Sequence, residues 1–324
     1  FGTEKSPIST VLIAILLGIL MGNAFTPRPG MMIGLDFTQQ YILKLGIIFL
    51  GIRLSFEELI AFGTIAIPLI VCCILGVLIL VKLLIKKVPI SSKMSYLIAI
   101  GTSVCGATAI VATAPVINAK KTEVAYAIAN ITLFGVIAMI FYPYFAEWYF
   151  DNDNLKTGLF LGTSIHETSQ VAAAGLIYDQ QFNSPETLNV ATVTKLIRNT
   201  FLVILIPLFA FLYNRGELKS QNYSILNIFP YFVIGFIGMI IVRNIGDQFF
   251  INDSNNYNIW INLIEYLKIL ATVFLTMAMA AVGISINLSE LKSMGYKPFI
   301  VGLIAAITVG FISLIYIETL TKFV

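Results

Sequence analysis

Charged residues are scarce in this chain, and their scarcity excludes an ordinary soluble fold. Asp, Glu, Lys and Arg make up only 11% of the 324 residues, while hydrophobic residues make up 58%. Soluble domains carry about 25% charged residues. The mean hydropathy is +0.90, and no long linker, low-complexity run or soluble domain interrupts the apolar sequence. We therefore predict one integral membrane transporter domain over residues 1–324, embedded in lipid, with no nucleic-acid partner.

Histidine and cysteine are nearly absent. The chain has one histidine, His166, and three cysteines, of which Cys72 and Cys73 are adjacent and Cys105 stands alone. These numbers and spacings support neither a disulfide framework nor a zinc site. An H-E-x-x-H metalloprotease is excluded as well, because it needs two histidines. We expect no metal and no cofactor.

Apolar runs long enough to cross a bilayer, roughly 20 residues each, recur along the whole chain. Segment 8–25 lacks a small-residue cleavage site and is followed by further spans, so we interpret it as a span and not as a signal peptide. The predicted fold is an all-α polytopic membrane protein with about eight to ten spans plus two broken or re-entrant helices, placed in a bacterial inner membrane. The spans are predicted near 8–25, 37–54, 62–85, 121–147, 188–213, 224–243, 259–283 and 298–320.

One short motif occurs twice between these spans, within segments 94–117 and 157–178. The first copy is Gly101-Thr102-Ser103-Val104-Cys105, and the second, 61 positions later, is Gly162-Thr163-Ser164-Ile165-His166. Small residues follow each copy. Glycine and hydroxyl residues within apolar sequence indicate a broken helix, whose freed backbone groups need polar partners. Paired breaks in two related halves point to the substrate site of a secondary transporter.

The distribution of charge predicts how the two broken segments cross the membrane. Basic clusters in cytoplasmic loops set topology, and the opposite loops, 151–153 and 252–258, are acidic or neutral. If all basic loops share one side, 94–117 enters and returns on that side and 157–178 enters from the other. The alternative is two discontinuous helices that cross fully and run parallel. We prefer two opposed re-entrant hairpins. The basic clusters are Lys82, Lys86, Lys87 and Lys93; Lys120 and Lys121; Arg215 and Lys219; Lys292 and Lys297.

A second repeat agrees with this topology. Residues 51–59, GIRLSFEEL, match residues 283–291, GISINLSEL, and Gly63 matches Gly295 at the same offset of 232. The predicted topology places the two copies on opposite sides of the membrane. Both repeat pairs would then be inverted, as in many secondary transporters.

Five consecutive polar residues, 166–170, follow the second break. On a half-helix, His166, Ser169 and Gln170 would share one face, and intramembrane polar clusters are functional by default. We expect His166 and Glu167 to contact substrate and respond to protons, because histidine changes charge near neutral pH. Two structural alternatives stay open: Glu167 could close a capping box with Ser164, and His166 could bind a free carbonyl.

The next span carries two cations on one face, Lys195 and Arg198, together with Asn199. Arg198 would lie near the midplane, whereas Lys195 could snorkel to the surface. Two such cations favour an anion site; the alternative is internal pairing, for instance of Arg198 with Glu167. In the first break, hydroxyls and backbone N–H groups would contact substrate or simply satisfy the break. The predicted substrate-binding residues are Thr102, Ser103, Cys105, Gly106, Ser164, His166, Glu167, Ser169, Gln170, Lys195, Arg198 and Asn199.

Three further features have structural interpretations. Glu265 and Lys268 are spaced for an interfacial ion pair, and Lys44 and Arg53 bracket a short span as anchors. An aromatic belt at the membrane interface is predicted from Tyr142, Tyr144, Trp148 and Tyr149.

Several segments together resemble the YeiH-like membrane proteins, a family described as sulfate exporters and grouped distantly with bile-acid and sodium–proton carriers. The resemblance covers most of the chain and is most specific at Cys105-Gly106-Ala107 and Ile165-His166-Glu167. The other matching segments are 45–54, 101–109, 123–129, 170–175 and 195–198. It implies transport of sulfur oxyanions and, from the distant relatives, a homodimer.

The leading hypothesis is a secondary transporter of a small sulfate-like or sulfite-like anion, working by alternating access with proton coupling. The alternative is a sodium- or proton-coupled transporter of an organic carboxylate, although no aspartate lies in the predicted spans. A remote third hypothesis is an intramembrane serine protease with a Ser103–His166 dyad. Its motif lacks the second glycine of G-x-S-x-G, so we expect no enzymatic activity.

Overall fold

The computed structural model describes residues 9–25, 29–84, 90–213, 231–250, 254–286 and 296–320, and these residues form helices without any strand. The α-helices are α1 (Thr10–Ala24), α2 (Pro29–Phe37), α3 (Leu43–Leu50), α4 (Phe56–Leu84), α5 (Ser92–Ser103), α6 (Ala107–Thr113), α7 (Lys121–Phe150), α8 (Asn154–Ser164), α9 (Thr168–Phe182), α10 (Pro185–Thr200), α11 (Leu202–Tyr213), α12 (Phe232–Phe250), α13 (Ser254–Ser285) and α14 (Tyr296–Leu320). A π-helical segment, Thr38–Ile42, joins α2 to α3, and a 3-10 turn, Gly51–Arg53, follows α3.

Seven helical stretches of the described residues are long and apolar enough to cross a membrane, which confirms the predicted all-α polytopic fold. They are Gly30–Arg53, Phe56–Leu84, Lys121–Phe150, Pro185–Ile206, Phe232–Phe250, Tyr257–Ser285 and Tyr296–Thr319, and α1 is a shorter apolar helix. The predicted start of the span at 37–54 was wrong. The helix already begins at Pro29 and includes Gly30, Gly34 and Asp36. Of the span predicted at 224–243, residues 224–230 lie outside the described residues, and the rest falls within α12, which begins at Phe232.

The helices form two bundles. The first contains α1, α2, α3, α12 and α13; the second contains α4 to α11 and α14. Close backbone contact joins α1 to α13, since a Cβ on Gly18 would lie 2.5 Å from the Ala280 oxygen and one on Gly283 would lie 2.4 Å from the Ile15 oxygen. Such small-residue contacts are typical of helix packing in membranes.

Both broken segments are re-entrant hairpins. In the first, Ser91 before α5 hydrogen-bonds Glu123 at the start of α7, and Lys93 donates to the Asn118 oxygen at 2.7 Å. The entry and exit of α5 and α6 therefore lie on one face of the protein, which we call the basic face because α7 starts there at Lys121.

The second hairpin enters from the opposite face. Asn154 at the start of α8 lies 3.4 Å from Glu186 at the start of α10. Tyr178, near the end of α9, donates to Glu147 near the end of α7. We call this the acidic face, because Asp151 and Asp153 lie there between α7 and α8. Two opposed hairpins are thus the observed arrangement, and full crossing by discontinuous helices is not.

The second sequence repeat also lies on opposite faces. Its first copy begins at Gly51, beside Arg53 on the acidic face, where Arg53 pairs with Asp179 of α9. Its second copy begins at Gly283, at the end of α13. Helix α1 starts at the acidic face, where Ser9 bonds Gln180, and its other end lies at this copy, because a Cβ on Gly22 would lie 2.1 Å from the Ile284 oxygen. Residues 287–291 of that copy, and the matching Gly295, lie outside the described residues.

Candidate functional site

The first hairpin breaks at residues 104–106. Helix α5 ends at Ser103, and α6 begins at Ala107. Gly106 has φ 61° and ψ −125°, a conformation that glycine adopts readily and other residues rarely do. The Gly106 N–H donates to the Gly101 oxygen at 2.9 Å. The turn is therefore tight, and it leaves the carbonyls at the end of α5 pointing into the protein.

The second hairpin breaks at residues 165–167, and Glu167 is the N-cap residue of α9 without a side-chain cap bond. The capping-box interpretation of Ser164 and Glu167 was wrong, because the carboxylate turns away to the first hairpin. It lies 3.4 Å from the Thr132 hydroxyl of α7, and a Cβ on Gly106 would lie 2.5 Å from its Cγ. The two breaks meet at this contact.

Lys195 of α10 is completely buried and binds three backbone oxygens. Its Nζ donates to Val104 at 2.8 Å, Ile165 at 2.8 Å and His166 at 2.6 Å. The prediction that this side chain snorkels to the surface was wrong. The oxygens at the two breaks have no helical partners and attract the ammonium group, and all three of its N–H groups are used.

Arg198, one turn further along α10, is also completely buried. Its Nε donates to Ser103 at 2.6 Å, and its Nη1 donates to Thr163 at 2.6 Å and to Ile165 at 3.3 Å. Its Nη2 donates to the Thr102 oxygen. Arg198 is thus internally paired with carbonyls and makes no pair with Glu167. The two cations join the C-terminal ends of α5 and α8, where helix dipoles favour positive charge.

Several buried polar atoms around these cations have no hydrogen-bond partner among the described residues. Buried polar atoms are normally paired, so this junction has capacity for a bound ligand or water. Because Ser103 Oγ has no hydrogen-bond partner, it is not hydrogen-bonded to His166 as a nucleophile would be to its base. The unpaired atoms are Thr102 Oγ1, Ser103 Oγ, Ser164 Oγ, His166 Nδ1, Thr194 Oγ1 and Asn199 Oδ1.

The remaining predicted residues lie around the same junction. Asn199 Nδ2 donates to the Thr168 hydroxyl at 2.9 Å, and Gln170 Nε2 donates to the Thr132 oxygen at 3.3 Å. Ser169 and Cys105 are buried, with 6% and 7% exposure. Within the described ranges, no group of three or more His, Cys, Asp or Glu residues could hold a metal ion.

Sequence reasoning missed two residues of α7 that support the site. Thr132 contacts Glu167 and Gln170, and Gly135 leaves space for Gln170, whose Oε1 would lie 1.9 Å from an added Cβ. Thr132 and its neighbour Asn130 are isolated polar residues in an apolar span. That isolation was the signal available in the sequence.

Three peripheral predictions have clear outcomes. The Glu265–Lys268 ion pair is present at 2.9 Å. Arg53 is not a membrane anchor, because it pairs with Asp179 at 3.1 Å and its side chain is 13% exposed. Of the residues predicted for the aromatic belt, Trp148 is 78% exposed, whereas Tyr142 is half-buried and packs against Phe160 with ring centroids 5.0 Å apart.

Comparison with known proteins places the chain in a family. The family described as Conserved hypothetical protein 698 matches residues 3–302. A UPF0324 membrane protein of Fusobacterium nucleatum subsp. nucleatum is 34% identical over 97% of this chain and 90% of its own length. Two further UPF0324 membrane proteins are similar. The protein of Streptococcus agalactiae serotype V is 33% identical over 91% of this chain and 85% of its own length. The protein of Yersinia pestis is 31% identical over 92% of this chain and 81% of its own length.

No solved structure matches the chain. The matched relatives are named membrane proteins, and seven apolar helices of the described residues could span a bilayer. The chain is therefore a multi-pass bacterial membrane protein that belongs to the UPF0324 family, as its resemblance to the YeiH-like proteins predicted.

Proposed function

We propose that this protein is a secondary transporter that carries a small inorganic oxyanion, such as sulfate or sulfite, by alternating access. One observation carries the proposal. Lys195 and Arg198 are completely buried where the two hairpins meet, and the four ion pairs of the described residues include neither of them. An unpaired buried charge is costly inside a membrane protein.

The junction has an excess of positive charge. Glu167 is the one carboxylate at the breaks, against the two cations, while the other contacts of the cations are with neutral carbonyls. Carbonyl dipoles compensate only part of the desolvation of a cation. A small anion at this point would neutralise the remaining charge, which favours an anion over a cation or neutral molecule as the substrate.

The donors for such an anion would be mostly uncharged. Lys195 has no free N–H, and Arg198 has one of its five N–H groups left. The unpaired hydroxyls of Thr102, Ser103 and Ser164 and the uncapped N-terminus of α9 supply further donors. Lys195 would therefore act through its charge and by holding the tips, whereas the hydroxyls would contact the anion.

Alternating access would come from movement between the two bundles. Their described polar contacts include the Arg53–Asp179 pair and the 2.7 Å hydrogen bond from Ser9 to Gln180, both at the acidic face. A limited interface allows one bundle to move relative to the other. His166 and Glu167, at the tip of the second hairpin, are the groups that would respond to protons. We propose transport without chemical conversion, and therefore no enzymatic activity.

The test is uptake of radiolabelled sulfate and sulfite into proteoliposomes, with and without a pH gradient. Ser103→Ala removes an unpaired hydroxyl and leaves the backbone carbonyl that Arg198 binds, so the fold should be retained. We expect saturable flux in the wild type and a KM raised roughly tenfold in the variant, because a hydrogen bond to a charged group is lost. Lys268→Ala, a change on α13 at a side chain that is 31% exposed, is the matched control and should transport normally.

Two outcomes would count against the proposal. Folded wild-type protein that moves neither anion under any gradient would exclude sulfur oxyanions as its substrates. Uptake of a labelled organic carboxylate under the same gradients would then move the alternative substrate class to first place.

A further inference from the structure

The ammonium group of Lys195 lies at the centre of three converging backbone oxygens. These oxygens belong to Val104, Ile165 and His166, at 2.6–2.8 Å from Nζ. All three come from the residues that directly follow α5 and α8. No carboxylate of the described residues forms an ion pair with this lysine. Its direct hydrogen-bond partners are therefore backbone oxygens alone.

A convergent set of carbonyl oxygens is the chemistry that binds inorganic monovalent cations. Rings of carbonyls replace the hydration shell of K⁺ in channel filters, and unwound carbonyls with half-helix C-termini coordinate Na⁺ in transporters with broken helices. The ends of α5 and α8 also carry partial negative charge. The site already holds the positive charge of Lys195 beside Arg198, so another monovalent cation of the same charge could occupy the same point.

We propose that the carbonyls of Val104, Ile165 and His166 form a monovalent-cation site that Lys195 occupies permanently with its own ammonium group. A tethered cation cannot be carried across the membrane or exchanged with the solution. The wild-type protein should therefore need no sodium, and removal of the lysine side chain should open the site to Na⁺. The cation site rests on the observed hydrogen bonds, and only the flux measurement below rests on the proposed transport function.

Arg198 provides a contrast on the same helix. The three nitrogen atoms of its guanidinium group donate hydrogen bonds to the backbone oxygens of four residues, Thr102, Ser103, Thr163 and Ile165. One spherical ion cannot replace a planar fork of this kind. Sodium should therefore rescue loss of Lys195 but not loss of Arg198.

The first experiment measures the Tm of purified Lys195→Ala in sodium chloride and choline chloride of equal ionic strength. Propylammonium chloride is a third condition, because propylammonium restores the atoms that the substitution removes. We expect a lower Tm than wild type in choline, and recovery of about half or more of that loss in sodium or propylammonium, since a ligand that binds only the folded state stabilises it. The wild-type Tm should be the same in sodium and choline.

Matched variants make the result specific. Sodium should not raise the Tm of Arg198→Ala, and Lys268→Ala should resemble wild type in every salt. Lys195→Met fills the space without charge, so it should remain destabilised in every salt. The proposal would be overturned if Lys195→Met or Lys195→Ala had the wild-type Tm in choline. It would also be overturned if no cation stabilised Lys195→Ala, or if that variant stayed unfolded in all three salts.

Anion uptake separates this inference from the proposed function. Wild-type flux should persist when choline replaces sodium, and Lys195→Ala should recover flux in sodium but not in choline. A strict sodium requirement of the wild type would overturn the tethered-cation site and leave the transporter standing. Sodium stabilisation of Lys195→Ala in a protein whose wild type carries no anion would support the site and reject the proposed function.

Discussion

Gly106 of the first hairpin lies directly against Glu167 of the second. A Cβ at Gly106 would stand 2.5 Å from Glu167 Cγ and 3.1 Å from its Oε1. This is the point where the two breaks, 61 residues apart in the sequence, come into contact. The contact depends on a residue without a side chain, and it joins the motif copies into one site.

Gly106→Ala should disrupt this contact. The substitution adds a clash with Glu167 and forces alanine to φ 61°, a strain of about 1–3 kcal/mol. We expect a clear fall in Tm and loss of anion uptake. Gly238→Ala is the control, because a Cβ there would have no neighbour within 4 Å. Equal Tm values for the two variants would show that the two breaks do not pack against each other at Gly106.

Arg198→Lys should not be conservative. Lysine keeps the charge, but its three donors cannot reach all four oxygens that the guanidinium binds. Each buried carbonyl that loses its partner costs about 1–3 kcal/mol. We expect a lower Tm and a faster rate of thermal inactivation. A variant as stable as wild type would mean that charge alone holds the two tips.

The pair of Gly135 and Gln170 offers a rescue test. Gly135→Ala should displace the Gln170 amide, because Oε1 would lie 1.9 Å from the new Cβ. Adding Gln170→Ala removes the clash, so the double variant should be more stable than Gly135→Ala alone. Measured Tm values of the two single variants and the double variant check this; additive losses would contradict it.

The Arg53–Asp179 ion pair should couple the two bundles. Its side chains are only 13% and 17% exposed, so we expect a coupling energy of about 1 kcal/mol, at the upper end for exposed pairs. A double-mutant cycle with Arg53→Ala and Asp179→Ala, followed by thermal unfolding, measures it. The Glu265–Lys268 pair is the control, because its residues are three apart on one helix and more exposed. Its coupling energy should be near zero. Equal coupling energies for the two pairs would contradict the prediction.

Much of the architecture could be predicted from local sequence. Apolar runs marked most spans, because a lipid-facing helix needs an uninterrupted apolar surface. The Gly-Thr-Ser motifs marked both breaks, and the lysine clusters placed the hairpins on opposite faces, since charge near helix ends sets topology. The errors fell where composition is ambiguous, as at residues 29–37, where a single aspartate and glycines did not end the helix.

The sequence by itself determined that this protein is a polytopic helical membrane protein with two breaks and two cations on one face of α10. Only the tertiary structure decided what those cations bind. Lys195 and Arg198 contact carbonyls that lie 29 to 96 residues away in the chain, and Glu167 turned to the first hairpin instead of capping its own helix. Spacing within one helix reports which side chains share a face, but partners from other elements depend on how the hairpins pack. For that reason the position of the site could be predicted from the sequence, whereas the hydrogen bonds within it could not.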